Sequence, residues 1–142
     1  MQISAKIRND NNSNDITVST EGNVQQIHIP SGAGGKGSAV NGGELLFLSL
    51  ATCFCNDIYR EAAKRNIQVD ALEVNVSGEF GAAGEPATYI HYDTTIRAQH
   101  CSEKDLQELI AYTDSVAEIH NTLRKGINIQ LTSVTTKVTG HK

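Results

Sequence analysis

The stretch GGELLFLSLATCFCNDI, residues 42–58, decides how the rest of the chain is read. Beyond Gly43 it holds no Gly and no Pro. Leu45, Leu46, Phe47, Leu48, Leu50, Ala51, Phe54 and Ile58 set apolar groups all round the first turns of a helix running from Glu44 to about Arg65. Arg60, Glu61, Lys64 and Arg65 make its far end amphipathic. A helix with no wet face, in a chain of 142 residues, calls for a sheet on one side and a helix or second subunit on the other. Glu44, read as buried at the helix start, and Asn56 and Asp57 in its middle are polar groups that packing alone does not require. Each needs a partner, which points to a site. A thiol in such a helix is by itself most often a small hydrophobe. Cys53 and Cys55, two apart on a helix, point about 200° away from each other, so they share neither a metal nor a disulfide.

Upstream, alternation at Ile3, Ala5 and Ile7, then Ile16 and Val18, then Ile27 and Ile29 before Pro30, predicts short strands, with Asn9 to Asp15 as a polar turn. The link SGAGGKGSAVNGG, residues 31–43, is a mobile flap or a loop that passes close to other backbone. It is no phosphate cradle, because Lys36 is followed by Gly37 and the helix opens several residues later. Downstream, Leu72 to Phe80 and Thr88 to Ala98 alternate as the strands of a hairpin joined by GAAGEPA. Ser102-Glu103-Lys104-Asp105 resembles a capping box, with Asp in place of Glu, and opens a helix bearing Leu106, Leu109, Ile110 and Thr113. Val116, Ile119 and Leu123 continue the stripe after a break near Asp114-Ser115, and Arg124, Lys125 and Gly126 close it. A last strand is expected through Ile127, Ile129 and Leu131, then Val134, Thr136 and Val138 on the opposite parity, with a bulge near Thr132-Ser133.

Composition narrows the classes. With 39% hydrophobic residues, two Pro, no Trp and a net charge of -4, residues 1–142 read as one domain. At this length it needs no metal or disulfide staple. The acidic pI of about 5.7 and the lack of clustered Lys and Arg argue against a nucleic-acid partner. The longest apolar stretch, Leu45 to Cys55, falls short of the ~20 residues of a membrane span, and Met1 to Asp10 has no apolar targeting core. Three cysteines, an odd number, suggest free thiols and a cytoplasmic setting. Cys53, Cys55, Cys101 and His100 form no zinc-ligand spacing, so neither metal nor cofactor is expected. His28, His91, His100, His120 and His141 are scattered. His120, beside Asn121, either lies near a site or makes an ordinary polar contact.

Taken in order, the strands, the Gly-rich link, the helix GGELLFLSLATCFCNDI, the strand VDALEVNVSGEF, the helix SEKDLQELI and HNTLRKGINIQL before a last strand resemble the OsmC/Ohr family, osmotically inducible protein C and the organic hydroperoxide resistance proteins. The resemblance implies an α+β fold of two curved antiparallel sheets wrapped around central helices, assembled as an intertwined homodimer with sites at the subunit boundary. It also implies a thiolate that attacks the O–O bond of an organic hydroperoxide. That position matches Cys53, and Glu44, nine residues earlier, matches the helper of one branch. In the other branch the activating Glu stands where this chain has Gly43. The family's second Cys, in a C-P-x-x-x-T-L pattern, is replaced by Ala117, and neither Arg8 nor Lys36 matches the family's activating Arg. The sulfenic acid would then fall to an external thiol or to Cys101. Leu46, Phe47, Leu50 and Phe54, with His120, would line a pocket suited to an apolar hydroperoxide. The rival reading is a non-catalytic member of the same fold that keeps the pocket for a small apolar or electrophilic ligand.

Overall fold

A computed structural model describes residues 1–140. Its elements are β1 (Ile3–Asp10), β2 (Ser13–Thr20), β3 (Asn23–Gln26), a short 3-10 turn (Ala33–Gly35), α1 (Gly42–Lys64), β4 (Gln68–Phe80), β5 (Ala87–Gln99), α2 (Glu103–Val116) and α3 (Glu118–Lys125). This is the expected α+β class: a three-stranded sheet, β1-β2-β3, a two-stranded sheet, β4-β5, and three helices. The chain divides into two compact units, residues 1–52 with 75–93, and residues 53–74 with the chain from Thr94 onward.

In the first unit β1 and β2 pair antiparallel with Ala5 opposite Val18 and Ile7 opposite Ile16. The polar turn expected over residues 9–15 narrows to Asn11 and Asn12, at φ 49° and 60°, because two residues at positive φ follow the twist of a tight hairpin. β3 stops at Gln26, so Ile27 and Ile29 are not strand residues as expected. Ile27 still donates to the Ile16 carbonyl, but the Ile29 carbonyl accepts from Asn14 Nδ2 at 3.2 Å, and Pro30 has no N–H to continue a ladder. Phe47 of α1 stacks on Phe80 of β4 with ring centroids 5.9 Å apart. Gly78 makes room for this contact: a Cβ there would run into the Tyr89 carbonyl and lie 2.8 Å from the Phe47 ring.

The second unit holds most of the core. Phe54, Ile58 and Ala62, four apart on α1, are buried together with Ile67, Leu109, Thr113 and Ala117. The Ser102 capping box forms as expected, with Ser102 Oγ accepting from the Asp105 N–H at 3.1 Å and Asp105 Oδ2 accepting from the Ser102 N–H at 2.9 Å. The helix break falls at Ala117, a little beyond Asp114-Ser115. Arg124 spans the break: Nη2 lies 2.7 Å from Asp114 Oδ1 and Nη1 donates to the Asp114 carbonyl at 3.1 Å. Gly126, at φ 69°, ends α3.

In the single chain Leu45 and Leu48, in the first half of α1, remain 38% and 58% exposed, because one chain supplies covering groups for only part of the helix's circumference. Two further expectations are corrected. Glu61, read as part of a wet face, is buried. The last strand does not form. Among the described residues, 127–140 carry no helix or strand, and Ile129 and Leu131 are 90% and 86% exposed. A strand exists only by pairing, and neither sheet of this chain takes this segment as a neighbour, so the bulge near Thr132-Ser133 has no ladder to interrupt. His141 lies outside the described residues.

Candidate functional site

Cys53 is half-buried on α1, and Asp57, four residues on, shares its face of the helix. The Cys53 thiol donates to Asp57 Oδ2 at 3.5 Å. Asp57 is only 6% exposed, and its other oxygen, Oδ1, meets Arg60 Nη1 at 2.9 Å. From α3, the amide N–H groups of Ile119 and Glu118 face the sulfur. Burial pushes the Cys53 thiol above its ordinary pKa, and the charge and hydrogen bond of Asp57 push the same way, while the two amides pull it down. The net shift is upward, so the neutral thiol is the resting form. The family resemblance implies an activating Arg beside this sulfur. In this chain its charged neighbour is a carboxylate, and the adjoining Arg60 pairs with Asp57 and Glu61.

Glu61 is a buried carboxylate compensated from three sides. Lys64 Nζ lies 2.9 Å from Oε2, Arg60 Nε 3.2 Å from the same oxygen, and Arg65 Nη1 3.5 Å from Oε1. These contacts, Lys64 first, hold its pKa below the usual carboxylate range. Arg65 also sits over the Tyr112 ring at 4.8 Å, which ties the end of α1 to α2.

His120, on α3, is 5% exposed and packs at 6.1 Å from the Phe54 ring. Burial, helped by the Arg124 cation, lowers its pKa, so the imidazole is neutral at pH 7. The second unit therefore gathers Cys53, Phe54, Asp57, Arg60, His120 and the first turn of α3. Leu46, Phe47 and Leu50 belong to the first unit. Leu50 is buried, Phe47 is stacked on Phe80, and the Leu46 carbonyl accepts from Ser49 Oγ at 2.6 Å.

Glu44 is exposed, not buried as expected. Its Oε1 accepts from the Asn41 N–H at 3.0 Å while Asn41 Oδ1 accepts from the Glu44 N–H at 2.8 Å, a reciprocal cap that suits a carboxylate in the first turn of a helix. Cys101 is half-buried beside the Ser102 cap of α2, and Cys53, Cys55 and Cys101 are all free thiols. Among the described residues no three His, Cys, Asp or Glu side chains converge as a metal site. No helix there is long and apolar enough to cross a membrane.

The residues that sequence reasoning did not join are Asp57 and Arg60. Asp57 stood out as a polar group needing a partner. The spacings that identify its partners, four residues back to Cys53 and three forward to Arg60, were available in the sequence.

The family model described as OsmC-like protein matches residues 35–132, well over half of the chain. The fold is similar to the crystal structure of an OsmC-like protein from Mycoplasma pneumoniae, at 19% identity over 87% of this chain and 88% of that one, with a TM-score of 0.64. An OsmC-like protein of unknown function from Vibrio cholerae matches at 15% identity over 86% and 93%, TM-score 0.62. The organic hydroperoxide resistance protein OhrB of Bacillus subtilis matches at 19% identity over 87% and 91%, TM-score 0.52. At these identities the likeness is one of fold. No curated protein matches the chain by sequence.

Proposed function

The chain belongs to the OsmC-like protein family, and from that premise we propose that it is a thiol-dependent redox protein of oxidative-stress defence that reduces organic hydroperoxides through Cys53. The observation that carries this reading is the seat of the sulfur: Cys53 is partly accessible, and the Glu118 and Ile119 amides facing it are donors of the kind that stabilise a thiolate or sulfenate. The sulfur attacks the distal oxygen of ROOH, the O–O bond breaks, and the products are Cys53 sulfenic acid and ROH. One external thiol then displaces water to form a mixed disulfide, and a second releases Cys53 as the free thiol with an RSSR product. No second family Cys is needed in this cycle, in keeping with Ala117 at its position. Glu44, whose carboxylate caps α1, enters only as the residue that the family pattern puts nine positions before the sulfur.

The working form in this proposal is a cytoplasmic homodimer. The exposed side chains of Leu45, Leu48, Ile127, Ile129 and Leu131 support it, because a second copy is the simplest cover for that much apolar surface.

One observation favours the second reading, a binder of small apolar or electrophilic ligands: burial and Asp57 hold Cys53 protonated in the single chain. The deciding experiment incubates the purified protein with cumene hydroperoxide and dithiothreitol. Turnover that disappears in Cys53→Ser supports the peroxidase. Absence of turnover, together with thermal stabilisation by apolar ligands, supports the binder.

A further inference from the structure

We propose that Asp57 is the catalytic residue that moves the proton in the Cys53 reaction, with Arg60 as its positioning residue. The inference rests on the reading of Cys53 as the peroxide-reducing thiol and adds what that reading lacks, a group on this chain that takes the thiol proton. The two residues stand one helical turn apart, and Asp57 Oδ2 already accepts the Cys53 S–H at 3.5 Å. Its second oxygen is anchored by Arg60 at 2.9 Å, which aims the carboxylate at the sulfur. The charged and titratable groups around this cluster are Arg60 and Glu61 from α1, Asp114 from α2, and Glu118, His120 and Arg124 from α3.

The step balances as follows. As the S–O bond forms and the O–O bond breaks, the thiol proton passes to Asp57 Oδ2 and from there to the departing alkoxide oxygen, which leaves as ROH. The distal oxygen and its own hydrogen stay on sulfur as the sulfenic acid. Asp57 ends as it began, a carboxylate. The sulfur attacks as its proton leaves, with thiolate character in the transition state although the resting thiol is neutral, so the carboxylate beside Cys53 does not obstruct attack.

The two roles of Asp57 have opposite signs, which makes the test sharp. Sulfenic acid formation with cumene hydroperoxide and alkylation by iodoacetamide are measured at pH 7 in wild type and Asp57→Asn. Loss of the anion should speed alkylation, and loss of the base should slow sulfenic acid formation by about 100-fold. A variant that reacts with hydroperoxide at the wild-type rate or faster overturns the inference. Should Asp57→Asn fail to fold, wild type run in heavy water decides: a slower oxidation supports a proton in flight, and an unchanged rate overturns it. Arg60→Gln, at a half-exposed position, should slow the oxidation by about tenfold, with partial rescue in Arg60→Lys; an unchanged rate removes Arg60 from the scheme. Wild type that forms no sulfenic acid at all overturns the peroxidase reading itself, and this inference with it.

Discussion

Cys53 and Asp57 are joined by a hydrogen bond in which the thiol is the donor, 3.5 Å from Sγ to Oδ2 and one turn apart on α1. A carboxylate next to a thiol disfavours the thiolate by charge and stabilises the neutral form by accepting its proton in a hydrogen bond. Three amide and carboxylate groups thus act on one sulfur with opposing signs, and burial tips the balance upward.

The alkylation rate of Cys53 should therefore rise with pH about a midpoint above the ~8.5 of an ordinary thiol. A mass-resolved iodoacetamide titration reads it. Replacing Asp57 with Asn should move the midpoint down. Because the folded thiol ionises at higher pH than the unfolded one, its contribution to stability is full at neutral pH and is lost as pH rises through the ordinary thiol range toward the folded pKa. A Cys53 midpoint below about 8.5 contradicts the arrangement described above.

Ala117 directly precedes the two residues whose amides face Cys53, and it is fully buried at the break between α2 and α3. A cysteine here restores the pattern the chain departs from. Ala117→Cys is expected to form a disulfide with Cys53 after one exposure to hydroperoxide, seen as joint protection of both thiols from alkylation until a reductant is added. The extra sulfur enters a packed position, so a stability cost of about 1–3 kcal/mol is expected beforehand, read from the denaturant midpoint.

His120 gives the fold an acid-sensitive element. Its folded pKa lies below the unfolded value near 6.5, through burial first and the Arg124 cation second. A depressed pKa contributes stability that is complete above the unfolded value and lost as pH falls from there through the folded pKa. The Tm of the wild type should drop on acidification below about pH 6.5. His120→Phe should flatten that slope, whatever its Tm at pH 7. Equal slopes in the two proteins would count against a buried neutral imidazole.

The segment 127–140 presents Ile127, Ile129, Leu131, Val134 and Val138 to solvent in the single chain. If a second copy covers them, wild type sediments as a dimer, and Ile129→Asp with Leu131→Asp shifts it to monomer. A wild-type monomer at micromolar concentration would show that these side chains have another cover.

The extent of α1, the Ser102 cap, the hairpin of β4 and β5 and the Gly126 stop were legible because each depends on neighbours within a few residues: apolar periodicity, a side chain that reaches its own helix start, a glycine that tolerates positive φ. The last strand was misread because a period-two apolar pattern says that a segment can pair, not with what. Glu44 and Glu61 were misplaced for a related reason. Residue type alone does not tell whether a carboxylate finds its partners in a cap such as Asn41 or among buried cations such as Arg60 and Lys64.

By itself the sequence determined the family, the class of fold and the helix on which the thiol stands, all set by local pattern and the order of elements. The surroundings of that thiol were decided only in three dimensions. Asp57 comes from the same helix, but the amides of Glu118 and Ile119 arrive from more than sixty residues further along, brought there by the turn at Ala117. A sulfur's reactivity follows the charges and dipoles within a few ångströms of it, and folding, not chain order, sets which groups lie that close.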